Sequence, residues 1–81
     1  MTEKPNEVLV LGVDPGTAVT GYGLVTRREG GAVALVECGV IRTSPDHVLA
    51  DRIREIYEAI VALIVRHQPF VMSVEDVFHG K

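Results

Sequence analysis

At 81 residues, 47% hydrophobic and 23% charged, the chain has ordinary globular composition and suits one small domain, 1–81. A formal net charge of −3 argues against a general electrostatic grip on nucleic acid, and the only cysteine, Cys38, excludes an internal disulfide and fits a reducing compartment. No apolar run reaches transmembrane length, and the polar stretch from Met1 to Glu7 is no signal peptide, so the expected location is cytoplasmic.

The first element is the run from Val8 to Asp14, in which five of the six residues before Asp14 are apolar, as in a buried central strand. Pro15-Gly16 stops it and turns the chain. Gly21 to Thr26 reads as a second strand, and the polar, glycine-rich Arg27-Arg28-Glu29-Gly30-Gly31 as a hairpin connection. Ala32 to Thr43 is a third strand with β-branched Val33, Val36, Val40 and Ile41. Cys38, inside the run Ala34-Leu35-Val36-Glu37-Cys38-Gly39-Val40, is expected to be a small buried hydrophobe, and not a catalytic thiolate, since no adjacent His or basic cluster would lower its pKa.

Ser44-Pro45-Asp46 opens a helix over about Pro45 to His67, with Ser44 as N-cap and Pro45 at the first helical position. Leu49, Ile53, Ile56, Ile60, Leu63 and Ile64 recur at three- and four-residue steps and form an apolar stripe. Arg54 and Glu58 are placed for an i,i+4 ion pair. His67-Gln68-Pro69 ends the helix, and Phe70 to Glu75 is a fourth strand.

Two hairpins followed by a helical crossover make the fourth strand parallel to the first, and a right-handed crossover can set the two side by side. Asp14 and Glu75 then stand at the carboxyl ends of neighbouring parallel strands, where open α/β sheets bind ligands. Alternation puts Asp14 on the face of Val8, Val10 and Gly12, and Glu75 on the face of Val71 and Ser73. The opposite faces, Leu9-Leu11-Val13 and Phe70-Met72-Val74, are apolar and suit the helix stripe. Strands lie about 4.8 Å apart, so the two carboxylates repel unless a cation joins them or one takes a proton. Mg²⁺ fits such a pair, and two ions could activate water and stabilise a leaving oxygen in phosphodiester hydrolysis.

A plainer reading stands beside this one. An Asp before Pro-Gly is often a turn residue bonding nearby amides, and Glu75 alone reads as a solvated strand-end charge. The glycines do not have dinucleotide-site spacing, and His47, His67 and His79 form no metal motif. Phe78 is either a core-covering side chain or a stacking platform for an unpaired base, with Lys81 near a phosphate; the residues alone favour the first.

The runs Leu11-Gly12-Val13-Asp14-Pro15-Gly16-Thr17 through Thr20-Gly21-Tyr22-Gly23, Gly39-Val40-Ile41-Arg42-Thr43 and Val74-Glu75-Asp76-Val77-Phe78-His79-Gly80-Lys81 resemble, in order and spacing, the amino-terminal part of RuvC-type Holliday junction resolvases. The resemblance implies an α/β, RNase H-like mixed sheet and a homodimer that nicks four-way junction DNA symmetrically, with a branch-migration helicase complex as partner. It implies that Asp14 and Glu75 are metal-binding catalytic carboxylates, and that Phe78 meets bases near the junction centre. Asp76 matches no catalytic position of the family.

The family's set includes two further acidic residues near the carboxyl end, and nothing here corresponds to them. The expectation is therefore a truncated domain of about half the family length that does not cleave junctions alone. Competing readings are a nucleotide-binding module of the actin and sugar-kinase type, a RuvX/YqgF-like RNase H-fold nuclease, and a non-enzymatic domain that only dimerises or binds partners. The Glu75 to Lys81 run argues against the first two.

Overall fold

The computed structural model describes residues 8–28 and 30–75. Its elements are β1 (Val8–Asp14), β2 (Val19–Arg27), β3 (Val33–Arg42), α1 (Leu49–His67) and β4 (Val71–Val74). They form one sheet in the order β3-β2-β1-β4, antiparallel except for the parallel β1–β4 pair. The expected crossover thus does place the fourth strand beside the first.

The β2–β3 connection closes through Arg28 N–H to the Ala32 carbonyl (2.8 Å) and Gly31 N–H to the Arg28 carbonyl (2.9 Å). Gly30 and Gly31 have φ of 92° and 89°, a left-handed region that glycine enters without a Cβ penalty. One irregularity interrupts the ladder: Leu24 pairs with Glu37 but Val25 pairs with Leu35, so Val36 is an extra residue on β3. Such a bulge resets which side chains face which way.

Register assigns the two faces. Leu9, Leu11 and Val13 of β1 lie beside Thr26, Leu24 and Tyr22 of β2 on the side that carries α1. The core is Leu11, Val13, Leu24 and Leu63, with Leu9, Tyr22, Ile60 and Ile64 packed against it. Each such fully buried side chain contributes roughly 1.5–3 kcal/mol relative to exposure, so this small cluster carries much of what holds the helix to the sheet. The other face has no covering element among the described residues. Val33, Leu35, Val40 and Val71 stand exposed on it.

Three local expectations are corrected. Cys38 is exposed rather than buried, because it lies opposite Gly23 on the edge strand's uncovered face. The helix starts at Leu49, not Pro45, and its N-cap is Val48 in an extended conformation with no side-chain cap. Ser44 instead closes a separate turn, its hydroxyl accepting from Asp46 N–H at 3.2 Å and its carbonyl from His47 N–H at 3.1 Å. Arg54 pairs with Asp51 at 3.6 Å, one turn back, rather than with Glu58. At the far end Gln68 takes the left-handed conformation (φ 52°) and its N–H bonds the Ile64 carbonyl, ending the helix as expected. No helix among the described residues is long and apolar enough to cross a membrane.

Candidate functional site

β1 delivers Asp14 to the carboxyl end of the sheet and β4 delivers Glu75. Parallel pairing runs from Val10–Val71 to Val13–Val74, and the Glu75 N–H extends it with a 2.9 Å bond to the Val13 carbonyl. Asp14 and Glu75 are therefore next in register. Both sit two residues beyond the Gly12–Ser73 pair, so their side chains leave the sheet on the uncovered face.

A cleft of about 340 Å³ opens there, lined by Asp14 and Glu75 at its rim with Gly12, Gly21, Gly23 and Ser73 along its floor. A Cβ at Gly21 or Gly23 would meet nothing within 4 Å, so the floor is low because side chains are missing, not because neighbours fill it. Among the described residues no hydrogen bond or ion pair reaches either carboxylate. The turn reading of Asp14, in which its side chain bonds nearby amides, is thus not what the structure contains. Two adjacent, exposed, unpartnered carboxylates over an open floor suit a hard cation that keeps water or phosphate oxygens as its other ligands. No group of three ligating side chains occurs among the described residues, so the chain offers a pair and not a full cage.

The segment between Asp14 and β2 is held by Thr20 and Thr43, which lie in the runs that carry the family resemblance but had no role assigned there, and by Arg52, which lies outside them. Thr20, fully buried, accepts from Gly16 N–H (3.1 Å) and donates to the Gly16 carbonyl (2.7 Å). Thr43, also buried, donates its hydroxyl proton to the Thr17 carbonyl, and its N–H bonds the Ala18 carbonyl at 3.2 Å. Arg52 reaches in from the first turn of α1, with Nε 3.0 Å from Thr43 Oγ1 and Nη2 3.4 Å from the Thr17 carbonyl. The place of the two threonines in those runs was the signal in sequence, but it named no bond, and strand propensity explains a threonine on each side of the loop equally well.

On the helix side, a second polar cluster ties three elements together. Tyr22 donates to Glu37 Oε2 at 2.8 Å, and His67 Nε2 lies 2.9 Å from Glu37 Oε1. The Tyr22 hydrogen bond holds the Glu37 carboxyl below its ordinary range; desolvation opposes this and His67 assists. The same bond, with burial and the Glu37 charge, raises the Tyr22 phenol above its ordinary value. This cluster lies on the opposite face from Asp14 and Glu75 and belongs to helix docking.

Of the sequence-predicted site residues, the structure brings Asp14 and Glu75 together. Phe78 and Lys81 lie outside the described residues.

Comparison with known proteins adds a family. Residues 10–81 match the model of the family described as crossover junction endodeoxyribonuclease RuvC, a stretch that includes the Glu75 to Lys81 run. The chain is 49% identical over 74 residues to the crossover junction endodeoxyribonuclease RuvC of Pelotomaculum thermopropionicum, covering 91% of this chain and 44% of that protein. It is 45% identical over 73 residues to that of Solidesulfovibrio magneticus, covering 90% and 43%. The fold resembles Thermus thermophilus RuvC with a TM-score of 0.82 at 29% identity, over 91% of this chain and 46% of that one. A second structure, T. thermophilus RuvC in complex with Holliday junction substrate, gives 0.79 at 27% identity, over 91% and 48%. The mixed sheet is the RNase H-like arrangement expected from the sequence. The chain spans less than half the length of these curated relatives.

Proposed function

The chain belongs to the crossover junction endodeoxyribonuclease RuvC family, and from that premise we propose that it forms the metal-carboxylate half of a nuclease that resolves four-way DNA junctions. The observation that carries this reading is the placement of Asp14 and Glu75 as register neighbours across β1 and β4, both without a partner among the described residues, over a glycine-floored cleft.

Asp14 and Glu75 would hold Mg²⁺, two ions in a complete site, with remaining positions taken by water, phosphate oxygens and acidic residues supplied by the rest of a family-length protein. Bound there, the metal would lower the pKa of a water nucleophile and neutralise charge on the scissile phosphate. Asp14 and Glu75 keep acceptor oxygens aimed into the cleft, and their mutual repulsion favours the cation-bound state. The low floor at Gly21 and Gly23 admits a phosphodiester backbone close to the carboxylates. Phe78 stacks against a base near the junction centre and Lys81 meets a phosphate. The working form is a homodimer in the cytoplasm, cutting two strands symmetrically and served by a branch-migration helicase complex.

The test compares two chains. The 81-residue chain with Mg²⁺ is expected to leave a four-way junction uncut. The same segment completed with the carboxyl-terminal half of the P. thermopropionicum relative is expected to nick it, and to bind junctions more tightly than linear duplex. Asp14→Asn and Glu75→Gln in the completed chain should bind without cutting. Efficient nicking by the 81-residue chain, or undiminished cutting by Asp14→Asn, would overturn the proposal.

A further inference from the structure

We propose that Arg52 is a positioning residue for the Asp14 carboxylate, acting through Thr43 and the Thr17 carbonyl; this rests on the metal-ligand reading of Asp14. The connection from Asp14 to β2 is only four residues long, Pro15 to Ala18, and three of its consecutive carbonyls are captured by protein donors. Thr20 takes Gly16, Thr43 Oγ1 and Arg52 Nη2 take Thr17, and Thr43 N–H takes Ala18. Exposed loop carbonyls ordinarily bond water, so this degree of capture marks a segment held in one conformation.

The hydrogen-bond directions are fixed by proton count. A threonine hydroxyl has one proton, and Thr43 gives it to the Thr17 carbonyl. Its lone pair is then free to accept from Arg52 Nε, while Arg52 Nη2 closes the ring on the same carbonyl. This uses two separate N–H vectors of one planar guanidinium. A lysine ammonium, a single point donor on a flexible stem, cannot span both acceptors in the same geometry.

The consequence reaches Asp14 because no hydrogen bond or ion pair among the described residues grips its carboxylate, which leaves its backbone to aim it. On one side its backbone is set by pairing with Gly21 across β1–β2. On the other it is set by the Pro15–Ala18 loop, which Arg52 locks from a position 35 residues away in sequence. Release of the loop frees the Asp14 backbone to rotate and spreads the directions of its oxygens.

A purely electrostatic role makes the opposite prediction. A guanidinium near a cation site opposes cation binding, so its loss would tighten metal affinity. A positioning role predicts that its loss weakens affinity.

The experiment is a Mn²⁺ titration of the ¹⁵N-labelled 81-residue chain, following paramagnetic broadening of the Asp14, Gly21 and Glu75 amides, with thermal melts run in parallel. Arg52→Gln and Arg52→Lys should each raise the apparent Mn²⁺ Kd on the order of tenfold, the low end for loss of a ligand-orienting group. Thr43→Val should do the same, and Thr43→Ser should retain wild-type affinity. Arg54→Gln, an equal charge change outside the network, should leave affinity unchanged or slightly tighter. Wild-type affinity in Arg52→Lys or Thr43→Val, neither of which disturbs the core cluster, would overturn the positioning role alone. Absence of site-specific broadening in the wild-type chain, or its persistence in Asp14→Asn, would overturn the metal reading and the positioning role with it.

Discussion

Gly12 and Gly23 face each other across the β1–β2 ladder, and a side chain added at Gly23 would project into open space beside the two carboxylates. Glycine in a strand interior is destabilising by roughly 0.5–1 kcal/mol, which nothing in the packing of this face offsets. Gly23→Val should therefore leave the melting temperature unchanged or raise it by a few degrees, while greatly reducing Mn²⁺ binding and, in a family-length chain, junction cutting. Melts and metal titration on the same sample check both arms.

Leu63 is the α1 residue in the buried core cluster, set against Leu11, Val13 and Leu24. Leu63→Ala removes the helix's central anchor at a cost of about 2–4 kcal/mol. In a chain this small that is a large share of total stability. The variant should show a much lower urea midpoint and early loss of protection at α1 amides in hydrogen exchange.

The Tyr22–Glu37–His67 cluster predicts a pH dependence of known sign. The Glu37 carboxyl is lowered in the folded state, so its contribution is present above the ordinary value of 4.5 and is lost as pH falls through the depressed folded range. The Tyr22 phenol is raised, so its contribution is present below the ordinary value of 10.0 and is lost as pH climbs towards the folded value. Tyr22→Phe should destabilise the chain at neutral pH, and the gap from wild type should narrow at both extremes. Ultraviolet titration should show Tyr22 ionising at lower pH in Glu37→Gln than in the wild type.

Gln68 is the described non-glycine residue with positive φ, at the helix C-cap. The left-handed conformation costs a non-glycine residue about 1 kcal/mol, and the exposed bond from Gln68 Nε2 to the Val65 carbonyl recovers only part of it. Gln68→Gly should raise the melting temperature slightly, with no change in metal binding.

The sheet topology and the Asp14–Glu75 pair were legible because both follow from strand parity and the handedness of one crossover. What was not legible depended on contacts between distant segments. Ser44-Pro45 has the local chemistry of a helix start. Yet Ser44 uses its hydroxyl on a separate turn, and the helix begins where Arg52, one turn inside it, reaches back to Thr43. Cys38 looked buried because its neighbours are apolar, but the bulge at Val36 and the edge position of β3 decide exposure there, not composition. The loop network at Thr20, Thr43 and Arg52 joins residues up to 35 apart, a separation over which local pattern carries no information.

The parallel pairing of Val13 with Val74 joins segments 61 residues apart and closes the longest loop in the sheet. Loop closure of that span costs more entropy than either hairpin, so β4 is expected to dock after the β1–β2–β3 meander has formed. Asp14 therefore exists for part of the folding reaction without its partner carboxylate. A metal that requires both would bind only the finished sheet, which would make divalent-cation binding a kinetic reporter on the last step of folding.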